Sequence, residues 1–382
     1  VESLVCLSIA FSIGSCAGDG FDEETFSGGV TGTQLLSPEA SGVEFAKLAG
    51  TTNVKVTWPV IMGAGGYQFS LYIVDDPSNP ITVVKDSIID GASVVCPYLD
   101  DTNYKAEIVT LGNAKLNNAT ATSPTEASWS TLVPATSIPD GADLTTWFAD
   151  NPVTSGKDTE VAYELAGGTY TISGDLDFGV NNVQLRGNKL DHAKVKFTGP
   201  GSIISCGGGL ALKFIEFDCD IVTGGTFLKF GNVPSEILGM NSYGIVTNPM
   251  IFQSCEILNV RHYLVNINGK NYAIQNFIIR DCLIKLYQDG DLINFNANST
   301  FVKDFEISNT TFYNVSNANN GRFLRVAGGQ ASRAGWTSCS MNFTSNTFYN
   351  ISKTQQAFNS NVWNRQANTV NLSKNIFFDS CS

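Results

Sequence analysis

The stretches MIFQSCEI (250–257), FIIRDCLI (277–284), FEISNTTF (305–312), MNFTSNTF (341–348) and VNLSKNIF (370–377) share one pattern. Each has apolar residues at its first, third and eighth positions, and Cys, Thr or Asn at its sixth. The sixth residues are Cys255, Cys282, Thr310, Asn346 and Asn375, separated by 27, 28, 36 and 29 residues. Periods of this size mark stacked units that complete one another's apolar faces. The first and third positions alternate, so both enter the core from one short strand. The sixth then falls just after a two-residue bend, and the eighth returns to the core on the next strand. Asn at such a bend can bond the backbone of the adjoining coil, and Cys or Thr fills the same small slot. A second sandwich would not repeat one signature at this interval. The pattern therefore predicts an all-β chain ending in a right-handed parallel β-helix over residues 156–382. A fainter copy, with its register off by one, is read at 213–221 around Cys219.

Working outward, VAYELAGGTYTISGDLDFGVNNVQLRG (161–187) resembles the opening coils of pectate-lyase-like β-helices, which begin with a GTY strand and then an NV strand. Before it, residues 135–155 hold Pro139 and Pro152 and little alternation, and read as a linker with a short capping helix started by Asp143. Residues 34–134 alternate in short strands. Val54, Val56 and Trp58 form one, and Tyr67, Phe69, Leu71 and Ile73 the next. Leu99 to Tyr104 has the spacing of the tyrosine corner of fibronectin-III-like domains.

The amino end reads as a processing segment. Leu4 to Ile13 is apolar and too short to span a bilayer. Ile13-Gly14-Ser15-Cys16 resembles a bacterial lipobox, which implies a signal peptide over 1–16 and lipid attachment at Cys16. An acidic tether follows over 17–33. The first residue is Val and no basic segment precedes it, so the start is expected to be truncated; rungs are expected to be missing after Ser382.

Charge is uneven. Residues 1–150 carry 18 acids and 5 bases, whereas 151–382 carry 17 acids and 18 bases. Nucleic-acid binding by the whole chain is excluded on that balance. Nine Cys are spread about one per repeat without a CxxC pair, and only His192 and His262 are present. Buried free thiols acting as small apolar residues are expected, and neither a zinc site nor a protein-held metal is.

The whole arrangement resembles a Bacteroidetes family of surface lipoproteins, in which a fibronectin-III-like domain precedes a β-helix labelled only as a domain of unknown function (DUF4957, often followed by DUF5123). The resemblance implies an outer-membrane, lipid-anchored monomer facing the exterior and acting on polysaccharide. It implies no catalytic residue.

Two site readings follow from the residues. Ser308 to Phe378 contains no Asp or Glu but holds Arg322, Arg325, Arg333 and Arg365, with Trp336 and Trp363. Guanidinium groups match the carboxylate of a uronic acid, so this window predicts non-catalytic binding of an acidic, pectin-like glycan. The competing reading is a polysaccharide lyase, with Arg280, Asp281, Asp289 and Asp291 as candidates and calcium as its cofactor. A third is a structural or adhesive stalk with no saturable ligand. His262, between Arg261 and Tyr263, reads as a packing residue of a turn.

Overall fold

The computed structural model describes residues 30–205, 207–220, 225–267, 269–287, 290–295, 300–316, 321–326, 331–360 and 367–380. The chain divides into two compact units, Val1–Val133 and Pro134–Ser382.

The first unit is a β-sandwich. One sheet joins β1 (Glu44–Lys47), β2 (Asn53–Thr57) and β5 (Ser93–Pro97). The other orders β4 (Ile81–Ile89), β3 (Tyr67–Ile73), β6 (Asn103–Thr110) and β7 (Thr125–Ser130). Alternation puts Val54, Val56, Phe69, Leu71, Ala106 and Ile108 between the sheets, and Trp58 stacks on Phe69 at 5.7 Å. The tyrosine corner is present: the Leu99 amide donates to the buried Tyr104 hydroxyl at 2.7 Å. This is the fibronectin-III-like arrangement expected from 34–134.

The second unit is a parallel β-helix. The segment read as linker and cap does more than connect. Its β8 (Ala135–Ile138) adds a parallel strand to the helix, because Ile138 can bury where the first coil offers a free edge. It is followed by α1 (Leu144–Asp150), whose Leu144 and Phe148 enter the core. Asp143 caps it, accepting the Thr146 amide at 3.0 Å.

Each coil up to Ser360 then contributes one strand to each of three sheets, and Thr369–Ser373 and Ile376–Phe378 extend the first two. The first sheet carries positions one to four of the repeat pattern, as in Met250–Gln253 and the end of Phe301–Ser308. The second carries positions seven onward, such as Glu256–Val260 and Leu283–Leu286. The third holds Thr226–Phe230, Tyr263–Asn266, Ile293–Phe295, Leu324–Val326 and Phe358–Ser360. Register in the first sheet is regular: Met250 lies beside Phe277 and Phe252 beside Ile279. The enclosed core is stacked aromatics and aliphatics, with edge-on contacts running Phe252–Phe277–Phe305–Phe343.

The corner between the first and second sheets differs from the expected two-residue bend. A single residue at the fifth position turns the chain, with positive φ at Ser254, Asp281, Asn309, Ser345 and Lys374. One left-handed residue turns the chain from the first sheet to the second without loss of register, and short polar side chains tolerate that conformation best. The sixth residue then sits in the corner itself, buried at Cys255, Cys282, Thr310 and Asn346 and half-buried at Asn375. There it forms a ladder. The Cys282 amide donates to Thr310 Oγ1 at 3.3 Å, Thr310 to Asn346 Oδ1 at 3.0 Å, and Asn346 to Asn375 Oδ1 at 3.0 Å.

The faint copy around Cys219 is corrected. Lys213 pairs with Gln253 and Phe214 is the left-handed residue, so the repeat is LALKFIEF (210–217) with Ile215 at the sixth position. Cys219 lies beyond the next strand, opposite the Leu258–Asn259 corner. The described cysteines 96, 219, 255, 282 and 339 are free and buried, as expected. Burial pushes the Cys96 and Cys339 thiols up to about 12, and keeps them inert.

Candidate functional site

The third sheet positions the chemistry. In its strands two consecutive residues face inward, as with Leu264–Val265, Leu292–Ile293 and Phe323–Leu324, all fully buried. The next residue must then face out. In-register pairing aligns these outward residues into one column running along the helix: Asp177, Ile204, Lys229, Asn266, Asn294, Arg325 and Asn359. Adjacent members are one strand spacing apart, about 4.8 Å.

A second outward position lies before each inward pair, and here the two predicted groups meet. Asp291 and Arg322 occupy this position on neighbouring coils. The Asp291 carboxylate accepts from Arg322 at 3.3 Å and from Arg325 at 3.1 Å, and takes the Arg322 amide at 3.0 Å. Its side chain is only 11% exposed, whereas those of Arg322 and Arg325 are 27% and 35% exposed. The result is a cationic cluster of two guanidinium groups fixed by one carboxylate, with net charge +1. Charge-assisted pairs of this kind hold arginine heads in a set orientation.

Other candidates lie elsewhere. Arg280 ends a strand of the first sheet, where its Nη2 donates to Gln253 Oε1 at 2.7 Å. Asp281 is the left-handed corner residue after it and accepts from Asn309 Nδ2 at 2.7 Å. They are turn residues serving the coil, at a different corner from Asp291. Asp289, Trp363 and Arg365 lie outside the described residues. Arg333 falls in the short helix Ala331–Ala334. Trp336 is half-buried, packing edge-on against Phe301 at 5.7 Å as part of the core rim. The Cys16 reading also lies outside the described residues. Among the described residues no three His, Cys, Asp or Glu side chains gather as a metal site.

His262 packs within the coil. A Cβ on Gly290 would stand 3.4 Å from its ring, and one on Gly321 would fall 1.5 Å from the Gly290 carbonyl oxygen, so only Gly fits there. The imidazole lies against Gly290 of the next coil and edge-on to Tyr263 at 4.0 Å. Far along the same sheet, a shallow recess of about 330 Å³ is lined by Phe148, Val153, Phe178 and Asp177. It sits at the capped end, away from the arginines, and its carboxylate suits no acidic ligand.

Lys229, Asn266, Asn294 and Asn359 were not singled out from the sequence. A signal exists: FLKF (227–230), LVNI (264–267), LINF (292–295) and FLRV (323–326) each place one polar residue after two apolar ones.

Comparison with known proteins yields domain families without a described activity. The model DUF4992, a domain of unknown function, matches residues 1–168, and DUF4957, also of unknown function, matches 168–315. No curated protein matches the chain. Among solved structures, one described as FN3tt mut is 19% identical, with 25% of this chain and 94% of that one covered and a TM-score of 0.19. Pectate lyase Pel3 from Pectobacterium carotovorum is 13% identical, covering 70% of this chain and 85% of that chain at a TM-score of 0.17. Such low scores carry no argument about function.

Proposed function

We propose, for a chain that carries a DUF4992 domain followed by a DUF4957 domain, that the third sheet of the β-helix binds an acidic polysaccharide without chemically altering it. The observation behind this reading is the convergence of Arg322 and Arg325 on Asp291 beside an outward column of amide and cationic side chains. Guanidinium groups recognise carboxylates, and amides both donate to and accept from sugar hydroxyls. The column is straight and repeats at the strand spacing, which suits an extended polymer laid along the helix axis. Catalysis is assigned no residue here. Arg280 Nη2 and the Asp281 carboxylate bond neighbours in the coil itself, and a calcium-dependent lyase would need clustered acids. In this reading lipid attachment at Cys16 holds the monomer on the outer membrane, facing outward.

The test is affinity electrophoresis of the purified protein in gels containing acidic or neutral polysaccharides, with absorbance of unsaturated product followed in parallel. Retardation by an acidic glycan, lost in the Arg322→Ala/Arg325→Ala double variant and without new absorbance, is the expected result. New absorbance would establish a lyase instead. Indifference to every glycan would leave the rigid stalk.

A further inference from the structure

Charge along the third sheet is sparse, and its spacing is fixed by the fold. Lys229, Asn266, Asn294 and Arg325 follow one another in register, so the two cations stand three coils apart. That is about 14 Å at the spacing of parallel strands. The two positions between them are neutral amides. At the far side of Ile204 the column reaches Asp177, whose carboxylate disfavours an acid there. At the other end Arg325 shares its charge with Asp291, and the Arg322–Asp291–Arg325 cluster offers a single net positive charge, not two.

A polymer with a carboxylate on every unit would lay acids over Asn266 and Asn294, where no cation of the column answers them. Those acids lose hydration and repel one another, and no cation of the column offsets that cost. Units bearing hydroxyls or esters meet the amides without that cost, since an amide serves donors and acceptors alike.

From this spacing we infer that the sheet selects a sparsely charged uronic-acid glycan, one whose free carboxylates are separated by neutral or esterified units. One carboxylate lies at the Lys229 coil and one at the Arg322–Arg325 cluster, with uncharged units across Asn266 and Asn294. The inference rests on the acidic-glycan reading above and narrows it.

It is tested with the full chain and polygalacturonate preparations of graded methyl-ester content, in the same retardation assay at fixed ionic strength. The expected profile peaks at intermediate esterification, with binding several-fold tighter than to the fully de-esterified polymer. Asn294→Lys places a cation on a neutral coil and moves that peak toward the de-esterified end. If the variant's circular dichroism shows it unfolded, the wild-type profile decides alone. Binding that rises steadily with carboxylate density would overturn the selection for sparse charge while leaving the acidic-glycan reading standing. Absence of retardation at every ester content, together with indifference to other acidic glycans, would overturn both.

Discussion

Asp291 answers two arginines that follow it by 31 and 34 residues, and no scan of neighbouring sequence positions would join them. The window from Ser308 to Phe378 is free of acids along the chain but not in space. Stacking brings Asp291 in from the preceding coil, and Asp379 reaches back to Lys353. Cationic residues were thus legible by type, while their state of pairing depended on the coil register. Trp336 shows the same limit from the other side, since an indole in a long insertion reads as exposed until Phe301 is placed against it. Replacing Asp291 by Asn removes the charge that both arginines face, on a side chain that is itself only 11% exposed. Stability should fall by about 1–3 kcal/mol, the range for loss of a charged hydrogen-bond acceptor. Urea denaturation of the variant would measure it, and an unchanged midpoint would show the carboxylate to be idle.

At the scale of elements, the seven-residue α1 is too short to persist by its own hydrogen bonds. It stands because Leu144 and Phe148 are buried and because Asp143 ties it to the first coil. Oδ2 of Asp143 accepts from Thr171 Oγ1 at 2.8 Å and Oδ1 from Ser173 Oγ at 3.0 Å, besides capping the helix. Burial alone would raise the Asp143 carboxyl, but those hydrogen bonds outweigh it and hold it below the usual carboxylate range. A carboxyl depressed in the folded state stabilises at pH values above its unfolded value, about 3.9, and that contribution fades as pH falls through the folded value. Asp143→Ala should therefore cost about 1 kcal/mol at neutral pH. The gap between variant and wild type should narrow when both are melted under acid conditions; a gap of constant size would contradict the assignment. The helix and its cap were legible from Asp143 and the apolar spacing after it. The first full coils were less so, because Ala193 and Ile215 occupy the corner that later coils fill with Cys, Thr or Asn. The outward column was hidden for another reason: two inward residues in a row break the alternation by which strands are usually recognised.

Over the whole molecule, two separate apolar cores imply two separately cooperative bodies. Calorimetry should resolve two transitions. Tyr104→Phe deletes one hydrogen bond of the first unit, worth about 1 kcal/mol. It should lower one transition by roughly 4–8 °C, as for a domain of that size, and leave the other in place. Movement of both together would mean the units melt as one. The two-unit plan was readable because alternation governs one half and a long-period repeat the other, so neither signal obscured the other. A last consequence concerns the corner ladder, which has a direction. The sixth-position amides of Cys282, Thr310 and Asn346 are each capped by a side chain that synthesis supplies 28 to 36 residues later. Along this stretch a chain emerging amino end first carries one waiting corner amide at its leading coil, besides the open strand edges, and each newly laid coil retires the one before it. The helix is thereby suited to lengthening one turn at a time as it leaves the ribosome or a secretion pore, with the unfinished front never more than a coil deep.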